Sequence, residues 1–299
     1  MLIIYIAMIN KTTRRDWLAG AAAFTAGTLL TAAMPRPLGA QLYTVRNILM
    51  KESDRVLKTI AEIGYTEVEG NRTDLIELLP KIKQYGLKPV SCHIETPLVT
   101  NAWDKYPDLK PMKLEDAIDT AKKVGVDYFT LAYIMPNARG EGLEFYRKTA
   151  DNMNHAGELC RKAGLQFAYH NHAYEFAGKV GERPIDVFFE RLDHKLVAME
   201  MDVFWLSVAG EDPVASLAKW TGRVALLHLK DKAKDAPHQF AENMPAGAFQ
   251  EVGSGLIDFH AILKAAPGAG VKHYIVEQDQ TPGDPLDSLR KSFNYLKTV

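Results

Sequence analysis

The chain has 299 residues, 47% hydrophobic and 24% charged, an ordinary composition for a globular protein with a sizeable core. Its 36 basic and 37 acidic residues leave a formal net charge of −1. A balance this even supplies no long-range pull on a phosphate backbone and argues against a nucleic-acid partner. The two cysteines, Cys92 and Cys160, lack metal-ligand spacing and read as buried free thiols.

In chain order, the first feature is the pair Arg14–Arg15 ahead of an apolar run rich in Ala and Gly. The small residues Thr31, Ala32 and Ala33 follow it. This is signal-peptide anatomy, and the arginine pair, with Trp17 close behind, resembles a twin-arginine export signal. The expectation is an N-terminal extension over residues 1–36, export to the periplasm, and a mature domain over 37–299. An uncleaved anchor or a plain N-terminal helix are the alternatives. Upstream, MLIIYIAMI leaves Met8 as a second candidate start. The apolar run is short and Gly-interrupted for a stable span, and no later segment is apolar enough to cross a membrane. No stable membrane insertion is therefore expected once the signal is removed.

From Leu38 onward short apolar runs alternate with longer periodic stretches. The runs are LGAQLYT (38–44), YTEVE (65–69), LKPVSCHI (87–94), DYFTLAY (127–133), LQFAYHNH (165–172), LVAMEMD (196–202), VALLHLKD (224–231) and HYIVEQD (273–279). They read as eight strands. Between them, stretches such as SDRVLKTIAEIG and LEDAIDTAKKVG place apolar residues at i, i+3, i+4 and i+7. They end on Gly64, Gly86, Gly125 or Gly164, common helix stops. Ser53, Thr73 and Asp212 are candidate helix caps. Eight strand–helix pairs predict an α/β fold, a (β/α)8 TIM barrel with a closed parallel sheet. The longest irregular stretch, 232–256, is expected to lie over the mouth.

Strand side chains alternate, so residues two apart face the same way. Late in strands five to eight the same-facing pairs are His170 and His172, Glu200 and Asp202, His228 and Lys230, and Glu277 and Asp279. Strand three adds His93 and strand two Glu69. Burying one unpaired charge costs several kcal/mol. Carboxylates and imidazoles converging from separate strands call for a shared neutraliser. A divalent cation (Mn, Zn, Co or Mg) would serve, and Lys230 could serve in part.

The segments LGAQLYTVR, YHNHAYEF, MEMDVFWLSVAGEDP, LLHLKD, EVGSGLIDF and VEQD together resemble the sugar-phosphate isomerase/epimerase superfamily, the xylose-isomerase-like barrels. The resemblance covers about residues 38–297. It implies that strands five to eight supply Glu, Asp, His and Glu to one metal. Three of these fall on Asp202, His228 and Glu277. The strand-five Glu is absent, because His170-Asn171-His172 stands in its place. The expected ligand set is Glu200, Asp202, His228 and Glu277, with His170 or Glu175 as alternatives to Glu200. Glu175 is also the expected replacement for the lost acid–base carboxylate.

The resulting expectation is a metal-dependent isomerase, epimerase or lyase acting on a keto sugar or related polyol. Glu277, Glu175 or His172 would take a proton next to the carbonyl, and Lys230 or His93 would stabilise the enediolate oxygen. Glu69, His93, His170 and Trp205 are expected against the substrate, with Tyr174 a further stacking candidate. Backbone amides near Gly253 and Gly255 could bind an anion. Metal-assisted phosphodiester cleavage, as in the DNA-repair endonucleases of this barrel family, and a non-catalytic sugar-binding barrel are the alternatives. The expected partner is a small sugar, and a homo-oligomer is compatible with this reading.

Overall fold

A computed structural model describes residues 37–245 and 247–299. The expected export signal over residues 1–36 lies outside the described residues. Eight strands close a parallel barrel: β1 (Leu38–Gln41), β2 (Glu67–Asn71), β3 (Lys88–His93), β4 (Tyr128–Leu131), β5 (Gln166–His170), β6 (Val197–Asp202), β7 (Val224–Leu229) and, after a short ribbon, β10 (His273–Val276). Neighbours follow chain order, and β10 closes the ring between β7 and β1. Helices cover the outside, among them Ser53–Ile63, Arg72–Gln84, Leu114–Val124, Gly142–Ala163, Phe259–Ala269 and Pro285–Leu296. None of the described helices is long and apolar enough to cross a membrane. Cys92 and Cys160 are buried free thiols.

The punctuation read from the sequence acts as its chemistry requires. Gly64, Gly125 and Gly164 end their helices with φ of +118°, +89° and +86°, a region costly for other residues. Asp212 caps its helix by accepting from the Val214 and Ala215 amides at 2.7 and 3.1 Å. Ser53 and Thr73 do not cap. Both lie inside their helices, and the Ser53 hydroxyl instead accepts from Lys81 Nζ at 2.8 Å.

The long stretch after β7 is tied back on itself. Asp231–Lys232 (β8) pairs antiparallel with Phe249–Gln250 (β9). The Gly253 and Gly255 amides, expected to be free for an anion, already hold one from within the chain. Asp231 Oδ2 accepts from them at 2.9 and 2.8 Å, while Oδ1 accepts from Lys232 and Ile257 at 2.8 and 3.1 Å. A Cβ on Gly255 would collide with the Lys232 carbonyl and the Asp231 carboxylate, so only glycine fits there.

Candidate metal centre and active site

Inside the barrel, side chains of one parity change character along each strand. Ala168, Ala198, Leu226 and Ile275 pack with Val90 and Tyr128 into an apolar floor. Two residues further on, the same parity presents His170, Glu200, His228 and Glu277. The next step gives His172, Asp202, Lys230 and Asp279. His170, Glu200, Asp202, His228 and Lys230 are all fully buried. The strands end earlier than their apolar runs. His172, Lys230, Glu277 and Asp279 therefore sit just past the sheet ladder, at the mouth.

One group of four points its donor atoms at a common spot. His170, Asp202, His228 and Glu277 each offer one ligand atom, all within 4.8 Å of one another. His170 Nδ1 lies 3.2 Å from the Ala132 carbonyl, so its proton belongs there and Nε2 carries the lone pair. His228 Nε2 lies 2.6 Å from Glu69 Oε1 and donates its proton there, so Nδ1 is the nitrogen that would turn to an ion. Without an ion, a proton on His228 Nδ1 faces the His170 lone pair at 3.2 Å and Glu277 Oε2 at 2.9 Å, the place a divalent cation would take over. Asp202 Oδ1 accepts from the Trp205 amide at 2.9 Å, while the buried Oδ2 makes no well-aligned hydrogen bond and has only the Lys230 ammonium at 3.2 Å and His170 Nε2 at 3.4 Å beside it.

The other spacings agree with an ion. His228 Nδ1 to Glu277 Oε2 is 2.9 Å, His170 Nε2 to Asp202 Oδ2 is 3.4 Å, and His228 Nδ1 to Asp202 Oδ2 is 3.9 Å. Ligands about 2.0–2.1 Å from a tetrahedral ion lie about 3.3 Å from one another. These four residues could hold one divalent cation. Asn171 fixes two of them by joining the ends of β5 and β6: its Oδ1 accepts from the Asp202 amide at 3.1 Å.

A cavity of about 430 Å³ opens over this group, with His93, His172, Trp205, Lys230 and Glu277 in its wall. Lys230 Nζ lies 2.7 Å from Glu277 Oε2, 2.8 Å from Asp279 Oδ1 and 3.2 Å from Asp202 Oδ2. Burial opposes its charge, yet Asp202, Asp279 and Glu277 hold the ammonium well above the ordinary lysine value. His172 is the opposite case. Burial and nearby positive charge keep its imidazole neutral, and its Nδ1 has no partner. Its ring lies 5.2 Å from that of Trp205, whose indole N–H is also buried and unpartnered.

A model of the xylose isomerase-like TIM barrel family matches residues 57–299. The chain belongs to that family. An inosose dehydratase of Clostridium perfringens is 30% identical to it over 164 residues, 52% of this chain and 54% of that protein. The chain thus spans about half the length of the curated relatives it matches. A solved sugar phosphate isomerase/epimerase from Parabacteroides distasonis shares the fold, with a TM-score of 0.71 and 24% identity. That match covers 89% of this chain and 95% of the other. An IOLI protein solved with a zinc atom aligns at a TM-score of 0.64 and 16% identity, over 88% of this chain and 98% of that one.

Within this family frame, Glu200 is not brought to the four-residue group. It lies on the other side of the His228 ring in a second group, Glu69, His93, Glu200 and His228, whose ligand atoms also lie within 4.8 Å of one another and could themselves hold an ion. His93 Nε2 is 3.0 Å from Glu69 and 3.1 Å from Glu200, and Gln41 Nε2 donates to Glu69 at 2.6 Å. Two carboxylates and two imidazoles pair with one another here. Burial opposes charge on His93, but Glu69 and Glu200 raise it to about 10; burial and the Glu69 charge push Glu200 up to about 7. The ladders shift register beside both carboxylates, where the neighbouring strands β3 and β7 each carry one extra residue, Val90 and Ala225. Glu69, expected against substrate, is wholly buried behind His93 and His228. His93, His170 and Trp205 do reach the cavity.

Glu175 is not brought to the cavity either. The short 3-10 turn Tyr174–Phe176 carries its carboxylate behind the wall. There it accepts from the Tyr169 hydroxyl and, at 2.9 Å, from the His172 amide. Tyr174 is likewise taken up, its ring lying 3.3 Å beneath the Arg139 guanidinium. Burial pushes the Glu175 carboxyl up to about 7, against those hydrogen bonds. A carboxyl raised above its unfolded value of about 4.3 stabilises the fold fully below that pH and loses the contribution as pH rises through 7. Glu175→Gln should therefore keep turnover within a few-fold of wild type. Urea unfolding should show wild type losing stability relative to the variant between pH 4.5 and 7.5; a constant difference across that range would contradict the assignment.

Asp279, read from the sequence as the same-facing partner of Glu277, joins the site through Lys230. One feature escaped the sequence reading. Arg139 donates to Glu242 at 2.6 Å, joining the loop after β4 to the loop after β8 beside the cavity. The two residues are far apart in the chain and share no motif.

Proposed function

We propose that this chain is a metal-dependent enzyme that removes a proton next to the carbonyl of a keto sugar or related polyol, with an isomerase, epimerase or dehydratase outcome. The convergence of His170, Asp202, His228 and Glu277, their ligand atoms all within 4.8 Å of one another beneath a sugar-sized cavity, carries the proposal. Relatives named inosose dehydratase and sugar phosphate isomerase/epimerase support the substrate class, and the zinc-bound relative supports an ion. Two imidazoles and two carboxylates suit Zn, Mn or Co better than Mg.

A divalent ion held by His170, Asp202, His228 and Glu277 would polarise a carbonyl and its neighbouring hydroxyl. His172, neutral and with an unpartnered nitrogen, accepts the proton from carbon. Lys230, a fixed cation, donates to the oxygen on which charge develops. The Trp205 indole N–H donates to a substrate hydroxyl, and its ring covers the apolar face of the sugar. Returning the proton to the other face or the adjacent carbon gives epimerisation or isomerisation; loss of a β-substituent gives dehydration. Turnover of a panel of 2-keto and 3-keto sugars in D2O, after metal reconstitution, should place deuterium at the carbon beside the carbonyl. Turnover with no deuterium at that carbon would sink this chemistry.

Export is part of the same proposal. Arg14–Arg15 ahead of the apolar run supports passage by the twin-arginine route and cleavage near residue 36. Changing both arginines to lysine should leave full-length protein in the cytoplasm on fractionation. An undiminished periplasmic pool would refute the routing.

A further inference from the structure

His172 depends on neighbouring rings for its orientation. Its Nδ1 is buried without a partner, the rings of Tyr133 and Trp205 lie 4.7 and 5.2 Å from its own, and Tyr174 stacks 6.5 Å away. One cation backs two of these rings. The Arg139 guanidinium lies 3.3 Å from the centre of the Tyr174 ring and 5.3 Å from that of Tyr133. Its Nε donates to the Ile134 carbonyl at 2.8 Å, which fixes the head group against its own loop. The turn that carries Tyr174 also holds the His172 amide, through Glu175 Oε2 at 2.9 Å.

The same guanidinium holds a strap. After β7 and β8 the chain reaches the loop that follows β4, where Glu242 accepts from Arg139 Nη2 at 2.6 Å. In the barrel, β5 and β6 lie between β7 and β4. The strap therefore spans the rim at the ends of β5 and β6, and Glu242 shares the cavity wall with His172 and Trp205. Its flanks are anchored. Ala236, Met244 and Ala248 pack with Phe204, Trp205 and Val208, and the Gln239 amide donates to the Val208 carbonyl at 2.9 Å. Residues 240–243 are held differently. Phe240, Ala241 and Asn243 are exposed, and among the described residues the one hydrogen bond from this segment to another loop is that of Glu242 with Arg139. The two side chains are only 14% and 16% exposed, so solvent screens the pair little.

We propose that Arg139 is a positioning residue with two tasks: it latches residues 240–243 beside the cavity through Glu242, and it backs the Tyr133 and Tyr174 rings that orient His172. A sugar enters when the strap lifts, and the return of the strap excludes water from His172. The catalytic consequence rests on the reading of His172 as the base; the latch itself does not.

Two variants separate the tasks. Glu242→Gln removes the ion pair and leaves Arg139 on Tyr174. Chymotrypsin should then cut after Phe240 about tenfold faster than in wild type, because losing one charge-assisted hydrogen bond raises the open population by about that factor. Arg139→Lys keeps a charge for Glu242 but loses the flat guanidinium over Tyr174. In that variant the His172 ring signals, followed by NMR of protein carrying isotope-labelled histidine, should shift and broaden. In Glu242→Gln they should stay in place. Cleavage of Glu242→Gln at the wild-type rate, or unmoved His172 signals in Arg139→Lys, overturns the proposal. Neither measurement uses turnover, so failure of the proton-abstraction reading shows separately, in the deuterium experiment.

Discussion

His228→Ala is expected to empty the metal centre and stop turnover. His228 is the one residue shared by the two groups of the site: Nδ1 faces His170, Asp202 and Glu277, and Nε2 meets Glu69. Its loss removes one of four ligand atoms and also releases Glu69 and Glu277, which it holds at 2.6 and 2.9 Å. Glu69→Gln is the matched comparison. It keeps the ligand and weakens only the partner that fixes its tautomer, a change that typically costs roughly 10–100-fold in metal affinity. Metal content after dialysis should fall from about one ion per chain to nearly none for His228→Ala, and only partly for Glu69→Gln. Uptake should also release protons and weaken in acid, because a proton and the ion compete for Nδ1. Burial opposes the charge on His228, yet Glu200, Glu69 and Glu277 raise the metal-free imidazole well above its ordinary value, which widens that competition. A variant lacking His228 that still carries one ion and turns over would refute the centre.

Much of this architecture is legible in the chain because two periodicities decide it. The alternation along LVAMEMD and VALLHLKD marks which residues enter the barrel, and the Gly-terminated helical stretches mark how often the chain returns to it. Spacing alone does not separate His170 from Glu200 as a neighbour of Asp202. Both satisfy the parity, and the choice follows from which side of the His228 ring each meets. Glu175 illustrates a second limit. It lies close to His172 in sequence, but one tight turn sends its carboxylate behind the wall, and side-chain direction after a strand end has no period to follow. Asp231 is a third: parity along VALLHLKD turns it away from the mouth but does not say what it meets. Its real partners are amides more than twenty residues later, visible only once the loop is folded.

Lys230→Met is expected to produce the largest loss of stability in the metal-free protein. The ammonium is buried and within 3.2 Å of oxygens from Asp202, Glu277 and Asp279. Methionine fills similar volume, so packing is nearly kept and the missing charge is the main change. Removing one partner of a buried ion pair typically costs about 3–5 kcal/mol, because the charge left behind has no compensation. Proton uptake limits that loss. Burial already raises the Asp279 carboxyl, and without Lys230 the neighbouring carboxyls rise further. Groups raised in this way stabilise the fold in acid and lose the contribution as pH increases. The deficit of the variant should therefore grow from acid toward neutral pH. Added metal should recover part of it, since the ion would use Asp202 Oδ2 and Glu277 Oε2, the oxygens that Lys230 also serves; binding at a hundredfold excess over Kd contributes about 2.7 kcal/mol. Turnover should not recover in parallel, because the donor to the developing oxyanion is gone, a loss of about 100–1,000-fold in comparable sites. Urea unfolding with and without metal at several pH values measures the first part, and kcat of the reconstituted variant the second. Equal unfolding midpoints for the two metal-free proteins at neutral pH would show that the ammonium does not hold these carboxylates together.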